Sequence, residues 1–400
     1  MTATTDITDT RREADLLDPE FYRPNPHEVY AWMRAHEPVY RDEKNDLWAI
    51  TRHADVRDVE LRSDVFVSGR GYRAVYYPEE SNMIARDNPR HKAQRNLVAS
   101  RFTPVAVRKL EGDVRALVVE LLDAVAPAAT MEVVDALAAQ LPSRTTCRLL
   151  GFPDDKWPAL KSWSERLMRT DQVFRDEAAM MDFGGATMEI SQYVLGELLP
   201  EKRRSPGDDL VSVWAHAVID GEPLDDLTVF NEVGLFIAGG AETTRTSIAH
   251  GLRVFCDHPD QWDAMAGDAR LVPSAVEEVL RWVTPLNNFF RTAITDTRVG
   301  GQPIAEGDRL CLLYPSANRD EDVFPDPYRF DITRNPNPHV AFGFGTHFCL
   351  GNHLARLTLR VLLEEAARRF TNLRVVREPD VEANIFARAV RSFTLAFDVR

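Results

Sequence analysis

Cysteine is scarce: four residues in 400, at Cys147, Cys256, Cys311 and Cys349, with no CxxC spacing among them. That is not a disulfide framework, and it fits a reducing compartment. Long apolar runs are missing too. No stretch approaches the roughly 18 residues that mark a bilayer span, and the N-terminal MTATTDITDTRREADLLDPEFY has no apolar signal core. The expectation is a cytoplasmic protein without a membrane anchor. Internal repeats, low-complexity tracts and Gly/Ser linkers are absent as well. Basic charge is in deficit, 48 Lys and Arg against 62 Asp and Glu for a net −14, which argues against nucleic acid as the main partner.

What remains is an ordinary globular composition, 44% hydrophobic, in a chain long enough to bury a large core. Most of it carries helical periodicity. PHEVYAWMRAHEP predicts a short helix from Pro26, and residues 107–125 a longer one ending before Pro127. Residues 226–259 predict the longest helix, apolar nearly all round at its centre and therefore buried. Short β-like pieces lie at PVYRDEKNDLWAIT, TRVGGQPIAEGDRLCLLYP and SFTLAFDV. EKRRSPGDD (201–209) reads as a solvated loop. The fold class is mainly α with a small β portion drawn from both ends of the chain. We expect one large domain over 1–400, with 1–20 as a flexible lead.

AFGFGTHFCLG (341–351) crowds three glycines, three phenylalanines and a cysteine ahead of a helical run. Gly343 and Gly345 allow backbone conformations closed to other residues, or close approach of a flat ligand. A thiol just before a helix N-terminus is expected to ionise more readily and to become a good ligand. A lone cysteine is more often a small buried hydrophobe. Zinc on His347, Cys349 and His353 matches no usual spacing. Axial thiolate ligation of haem is the third reading.

The residues carry a resemblance. FGFGTHFCLG is similar to the haem-binding loop of the cytochrome P-450 family, F-G-x-G-x-[HR]-x-C-x-G, with Phe342, Gly343, Gly345, His347, Cys349 and Gly351 on its positions. IAGGAETTR resembles the family's oxygen-activating helix, placing Gly240, Glu242 and Thr243 on [AG]-G-x-[DE]-T; Gly239 stands where the family often has Ala. AVEEVLR supplies E-x-x-R as Glu278 and Arg281, and FPDPYRFD offers Arg329 to complete a structural ion cluster. DNPRHKAQR (87–95) resembles a further family helix, so the likeness spans the chain. Within the family, the nearest resemblance is to soluble actinobacterial enzymes that oxidise sterol side chains and branched lipids.

The resemblance implies a haem-thiolate monooxygenase of P-450 fold, binding haem b with Cys349 as axial ligand. Phe342 would shield the sulfur, while His91, Arg95, Arg291 and His347 would hold the haem carboxylates. Thr243 and Glu242 would handle protons for dioxygen, with room left by Gly239 and Gly240. Tyr72, Tyr76 and Met83, from a roof loop over 66–86, would contact a hydrophobic small molecule. So would Phe236, Ile237, Leu286, Asn287, Phe289 and Phe386. Nothing in the chain supplies electrons, so a ferredoxin with an NAD(P)H-dependent reductase is the implied partner, received near Arg101, Arg108, Lys109 and Arg356. The alternatives are a peroxide-driven peroxygenase, which usually lacks the acid–alcohol pair, and a non-catalytic haem gas sensor.

Overall fold

The computed structural model describes residues 14–23 and 25–400. Its axis is one helix, Asp226–Asp257, whose first turn is capped by Asp225 accepting from the Thr228 N–H at 2.8 Å. His258-Pro259 ends it, because proline cannot continue the hydrogen-bond ladder. This central helix divides two cores. Its first half (Val229, Val233, Ile237, Ala241) packs with helices Gln140–Leu150, Trp157–Leu167 and Glu177–Tyr193. Its second half (Ile248, Leu252, Phe255) packs with Glu111–Val125, Val272–Val283 and Asn352–Arg369. Leu354 touches both cores. Gly239 and Gly240 therefore fall near the seam, where chain and cavity meet.

A five-stranded sheet lies to one side, in the order Val39–Asp42, Leu47–Ile50, Arg309–Leu313, Asn288–Ala293, Phe66–Val67. The first two strands form the expected hairpin, Val39 opposite Ile50. Cys311 then pairs with Ala49 in parallel and with Phe290 in antiparallel register, which buries it as a small apolar residue. A second sheet joins Phe370–Val381, Val390–Val399 and Thr130–Glu132.

Several expectations change. Strands come from the middle of the chain as well as its ends. Residues 107–125 split into Pro104–Arg108 and Glu111–Val125. The expected loop 201–209 is helical as far as Arg204, and Asp209 is buried, capping the next helix through the Ser212 N–H at 2.7 Å. The expected lead 1–20 lies outside the described residues up to residue 13. Beyond it the chain is packed: Leu16 is buried and donates its N–H to Asp42 at 2.9 Å. Among the described residues, no helix is long and apolar enough to cross a membrane.

Candidate active site

The cysteine loop is folded by its glycines. Gly343 and Gly345 both take φ +68°, a left-handed conformation that side chains disfavour. At Gly345 an added Cβ would also collide with the Glu60 carbonyl oxygen. The turn closes with the Cys349 N–H donating to the Phe342 carbonyl at 2.9 Å, and Asn352 Nδ2 donating to the Cys349 carbonyl at 2.8 Å. Cys349 thus sits just before helix Asn352–Arg369 and lines a cavity of about 540 Å³. Burial raises its thiol pKa; the Gly351 N–H, Arg95 and Arg356 oppose that without reversing it. The expectation of a readily ionised thiol is therefore corrected: desolvation outweighs the helix end. Among the described residues, no cluster of three or more His, Cys, Asp or Glu is arranged for a metal ion, so His347 and His353 do not join Cys349 in a zinc site.

His91, Arg95, Arg291 and His347 all reach this cavity, as do Phe342, Gly343 and Gly351. The two imidazoles lie 4.1 Å apart, centroid to centroid. His91 Nδ1 donates to the Met83 carbonyl at 2.7 Å. Arg95 donates to the Phe348 carbonyl at 2.7 Å and has no carboxylate partner among the described residues. Burial and the neighbouring cations push the His347 imidazole down to about 2, and its Nδ1 is buried with no partner. Cations and orphaned donors gathered at a cavity with a buried thiol fit a group that brings carboxylates and a thiolate-binding metal. An added Cβ would meet nothing within 4 Å at Gly239 or at Gly351, which leaves open space against both backbones. Haem b has those features, and these residues fit it.

On the central helix the predicted trio divides. Thr243 lines the cavity, its hydroxyl donating to the Gly239 carbonyl at 3.0 Å, and Ser247 donates to the Thr243 carbonyl at 2.8 Å. Gly240 is also on the wall, yet it is there for packing: a Cβ would lie 2.7 Å from Thr146 Oγ1. Room beside the helix comes from Gly239 instead. Glu242 is not among the lining residues. Its carboxylate is buried and paired with Arg245 at 2.5 Å, and Arg245 also pairs with Glu165. Glu165 in turn meets Lys161 at 3.4 Å, and Lys161 meets exposed Asp135 at 3.0 Å. An alternating chain of charge thus runs from Glu242 to the surface.

Of the expected substrate contacts, Tyr72, Met83, Phe236, Leu286, Phe289 and Phe386 line the cavity. Three others do not. Tyr76 is 49% exposed, Ile237 points into the helical core, and Asn287 is buried, donating to the Asn384 and Ile385 carbonyls. Helical phase explains Ile237, since Phe236 and Gly239 occupy the cavity side. The sequence reading misses the polar end: Arg73 lines the cavity, pairs with buried Asp171 at 2.9 Å and stacks over Phe386 at 3.9 Å. It also misses Glu232, whose carboxyl burial raises to about 8 and which accepts from the Met83 N–H and Gln94, both at 2.9 Å. That acid ties the roof loop to the central helix.

The ion cluster is corrected in one member. Glu278 and Arg281 are fully buried and paired at 2.7 Å. Arg329 is exposed and offers only its carbonyl, whereas Arg334 completes the cluster at 3.2 Å from Glu278. A groove near the cysteine helix is lined by Arg108, His353, Arg356 and Arg360 together with Glu111 and Glu277. Arg356 is held by Glu277 at 2.7 Å and Arg101 by Asp208 at 2.7 Å.

The cytochrome P450 family model matches residues 179–387. A steroid C26-monooxygenase of Mycolicibacterium smegmatis is 39% identical over 93% of this chain and 92% of its own length. One from Mycobacterium tuberculosis is 38% identical over 92% of each. A Mycobacterium marinum cytochrome P450 in complex with pseudoionone superposes with a TM-score of 0.88 at 34% identity, over 94% of this chain and 95% of that one. The chain belongs to the cytochrome P450 family and is a haem b monooxygenase.

Proposed function

We propose that this enzyme hydroxylates a long, hydrophobic, sterol-like or branched-lipid substrate, with Cys349 as the thiolate ligand of its haem. The observation that carries the reading is one cavity walled both by Cys349 and by Thr243 and Gly239 of the central helix. Held by Cys349, Arg95, Arg291 and His347, haem b would supply the activation of dioxygen, two electrons and two protons being needed for one oxygen atom to enter a C–H bond and the other to leave as water. The chain's own residues do the rest. Cys349 is held in place by its loop and its negative charge favoured by the Gly351 N–H, Arg95 and Arg356. Phe342, beneath the Arg356 guanidinium at 4.5 Å, covers the sulfur side. Gly239 leaves space for dioxygen. The Thr243 hydroxyl holds a proton at the cavity wall, and Glu242 passes protons inward when its pair with Arg245 opens. Tyr72, Met83, Phe236, Leu286, Phe289 and Phe386 exclude water and fix the substrate by apolar contact. Electrons come from a ferredoxin with its NAD(P)H-dependent reductase, docking in the cytoplasm at the groove around Arg108 and Arg356.

The substrate class rests on the apolar lining and on the steroid C26-monooxygenases at 38–39% identity. Titrating the holoenzyme with sterols is expected to shift the haem spin state. Turnover with ferredoxin and reductase should then yield a terminally hydroxylated side chain. A spin-state response to short aromatic compounds but to no sterol contradicts the substrate reading.

Arg95 and Arg291 are proposed to hold the haem carboxylates. Arg95→Ala or Arg291→Ala is expected to weaken haem binding by about 3 kcal/mol, since each leaves a carboxylate unpaired in a partly buried site. Haem occupancy and melting of the two variants measure this. Unchanged occupancy in the double variant removes both arginines from the anchor.

A further inference from the structure

Helix His53–Leu61 carries an acid where its spacing calls for an apolar residue. Val56, Val59 and Glu60 share the buried face, and all three are buried. The Glu60 side chain is only 2% exposed, yet it lines the haem cavity. One oxygen, Oε1, is well occupied: Tyr314 donates to it at 2.7 Å, and Arg291 Nη2 stands 3.5 Å away. The Phe344 backbone N–H donates to the same carboxyl. The other oxygen, Oε2, is buried without a partner. A buried orphan of this kind is costly and needs an explanation. The cysteine loop is built around it, because a Cβ at left-handed Gly343 would lie 3.2 Å from Oε1.

Resting on the haem reading above, we propose that Glu60 is a haem-binding residue whose carboxyl, in its protonated form, donates a hydrogen bond from Oε2 to a haem carboxylate beside Arg291. Arginine alone would compensate one negative charge there. A carboxylic acid adds a donor without adding a charge, which suits a site where two carboxylates would otherwise repel. Burial supports the assignment by pushing the Glu60 carboxyl up to about 7, against the pull of Arg291 and Tyr314.

The consequence is a proton taken up with haem. Donation to a carboxylate raises the Glu60 pKa further in the holoprotein. Binding is therefore unaffected by this group below neutrality and weakens as pH rises above about 7, by at most tenfold per pH unit. Other groups face the same place: Arg291 from its strand, Tyr314, His347 of the cysteine loop, His91 and Arg95 from helix Arg90–Val98, and Arg57 over Phe344 at 4.1 Å. Their titration persists when Glu60 is replaced, so a variant isolates its share.

The experiment follows haem transfer from the holoenzyme to excess apomyoglobin between pH 6 and 9. Wild type is expected to release haem on the order of tenfold faster at pH 8.5 than at pH 7. In Glu60→Gln, whose amide donates at every pH, that acceleration is expected to disappear while the rate at pH 7 stays near wild type. Glu60→Ala is expected to release haem faster across the whole range. A wild-type rate that is flat above pH 7, or a Gln variant that keeps the wild-type slope, overturns the proposal. The ferrous–CO absorption of the same samples reads the Cys349 ligation separately, so either assignment can fail without the other.

Discussion

Thr243→Ala is expected to bind substrate and accept electrons normally, yet to release most of the consumed dioxygen as hydrogen peroxide. The threonine hydroxyl is the polar side-chain group of the central helix that both lines the cavity and stands one turn from Gly239, where its oxygen is anchored at 3.0 Å. Its removal takes away the hydroxyl nearest Gly239 on that wall; Thr244 and Ser247 also line the cavity but lie further along the helix. Groups of this kind contribute about 10²–10⁴-fold, so product formation should fall by that order while reduced nicotinamide is still consumed. Glu242→Gln should behave differently. Its carboxylate lies off the cavity, paired with Arg245, so its loss impairs proton supply and slows turnover without a comparable peroxide leak. Product, peroxide and nicotinamide consumption measured together distinguish the two. Wild-type coupling and rate in both variants would reduce the pair to helix packing and reopen the peroxygenase and sensor readings.

The second large effect concerns the fold that presents the cysteine. Glu278 is fully buried and receives Arg281 at 2.7 Å, Arg334 at 3.2 Å, the Asp331 N–H at 2.9 Å and Asn337 at 3.1 Å. Arg281 extends the network to the Asn318 and Pro327 carbonyls, and Asn318 accepts the Val340 N–H at 2.8 Å at the entrance to the cysteine loop. Glu278→Ala leaves the buried Arg281 guanidinium and the partly buried Arg334 without their counter-charge, which costs about 3–5 kcal/mol. Against a total stability of roughly 5–15 kcal/mol, the variant should unfold at much lower denaturant and purify largely without haem. Arg329→Ala, on an exposed side chain, should leave both unchanged. A denaturation midpoint that moves equally in the two variants would restore Arg329 to the cluster.

Part of this was legible in the chain alone. The glycine pattern before Cys349 announces left-handed turns because few other residues tolerate them, and the structure puts positive φ at Gly343 and Gly345. The long helix is legible from its all-round apolar centre. Arg334 was not legible over Arg329, since both lie in a proline-rich loop without periodicity and only the folded path decides which turns inward. Ile237 and Asn287 sit in motifs whose general location is right, but the facing of a single residue depends on helix phase and strand register. Glu60 did carry a signal, an acid on an apolar stripe four residues after Val56. Arg73 and Asp171 carried none, because a buried ion pair 98 residues apart has no local pattern.

The haem-thiolate reading depends on the sulfur of Cys349. The most direct measurement is the absorption spectrum of the reduced, carbon monoxide-bound protein, wild type beside Cys349→His. Wild type is predicted to give the red-shifted Soret band of thiolate-ligated haem, and Cys349→His to lack it in whatever haem the variant retains. Survival of that band in Cys349→His would contradict the account, because another residue would then be the ligand.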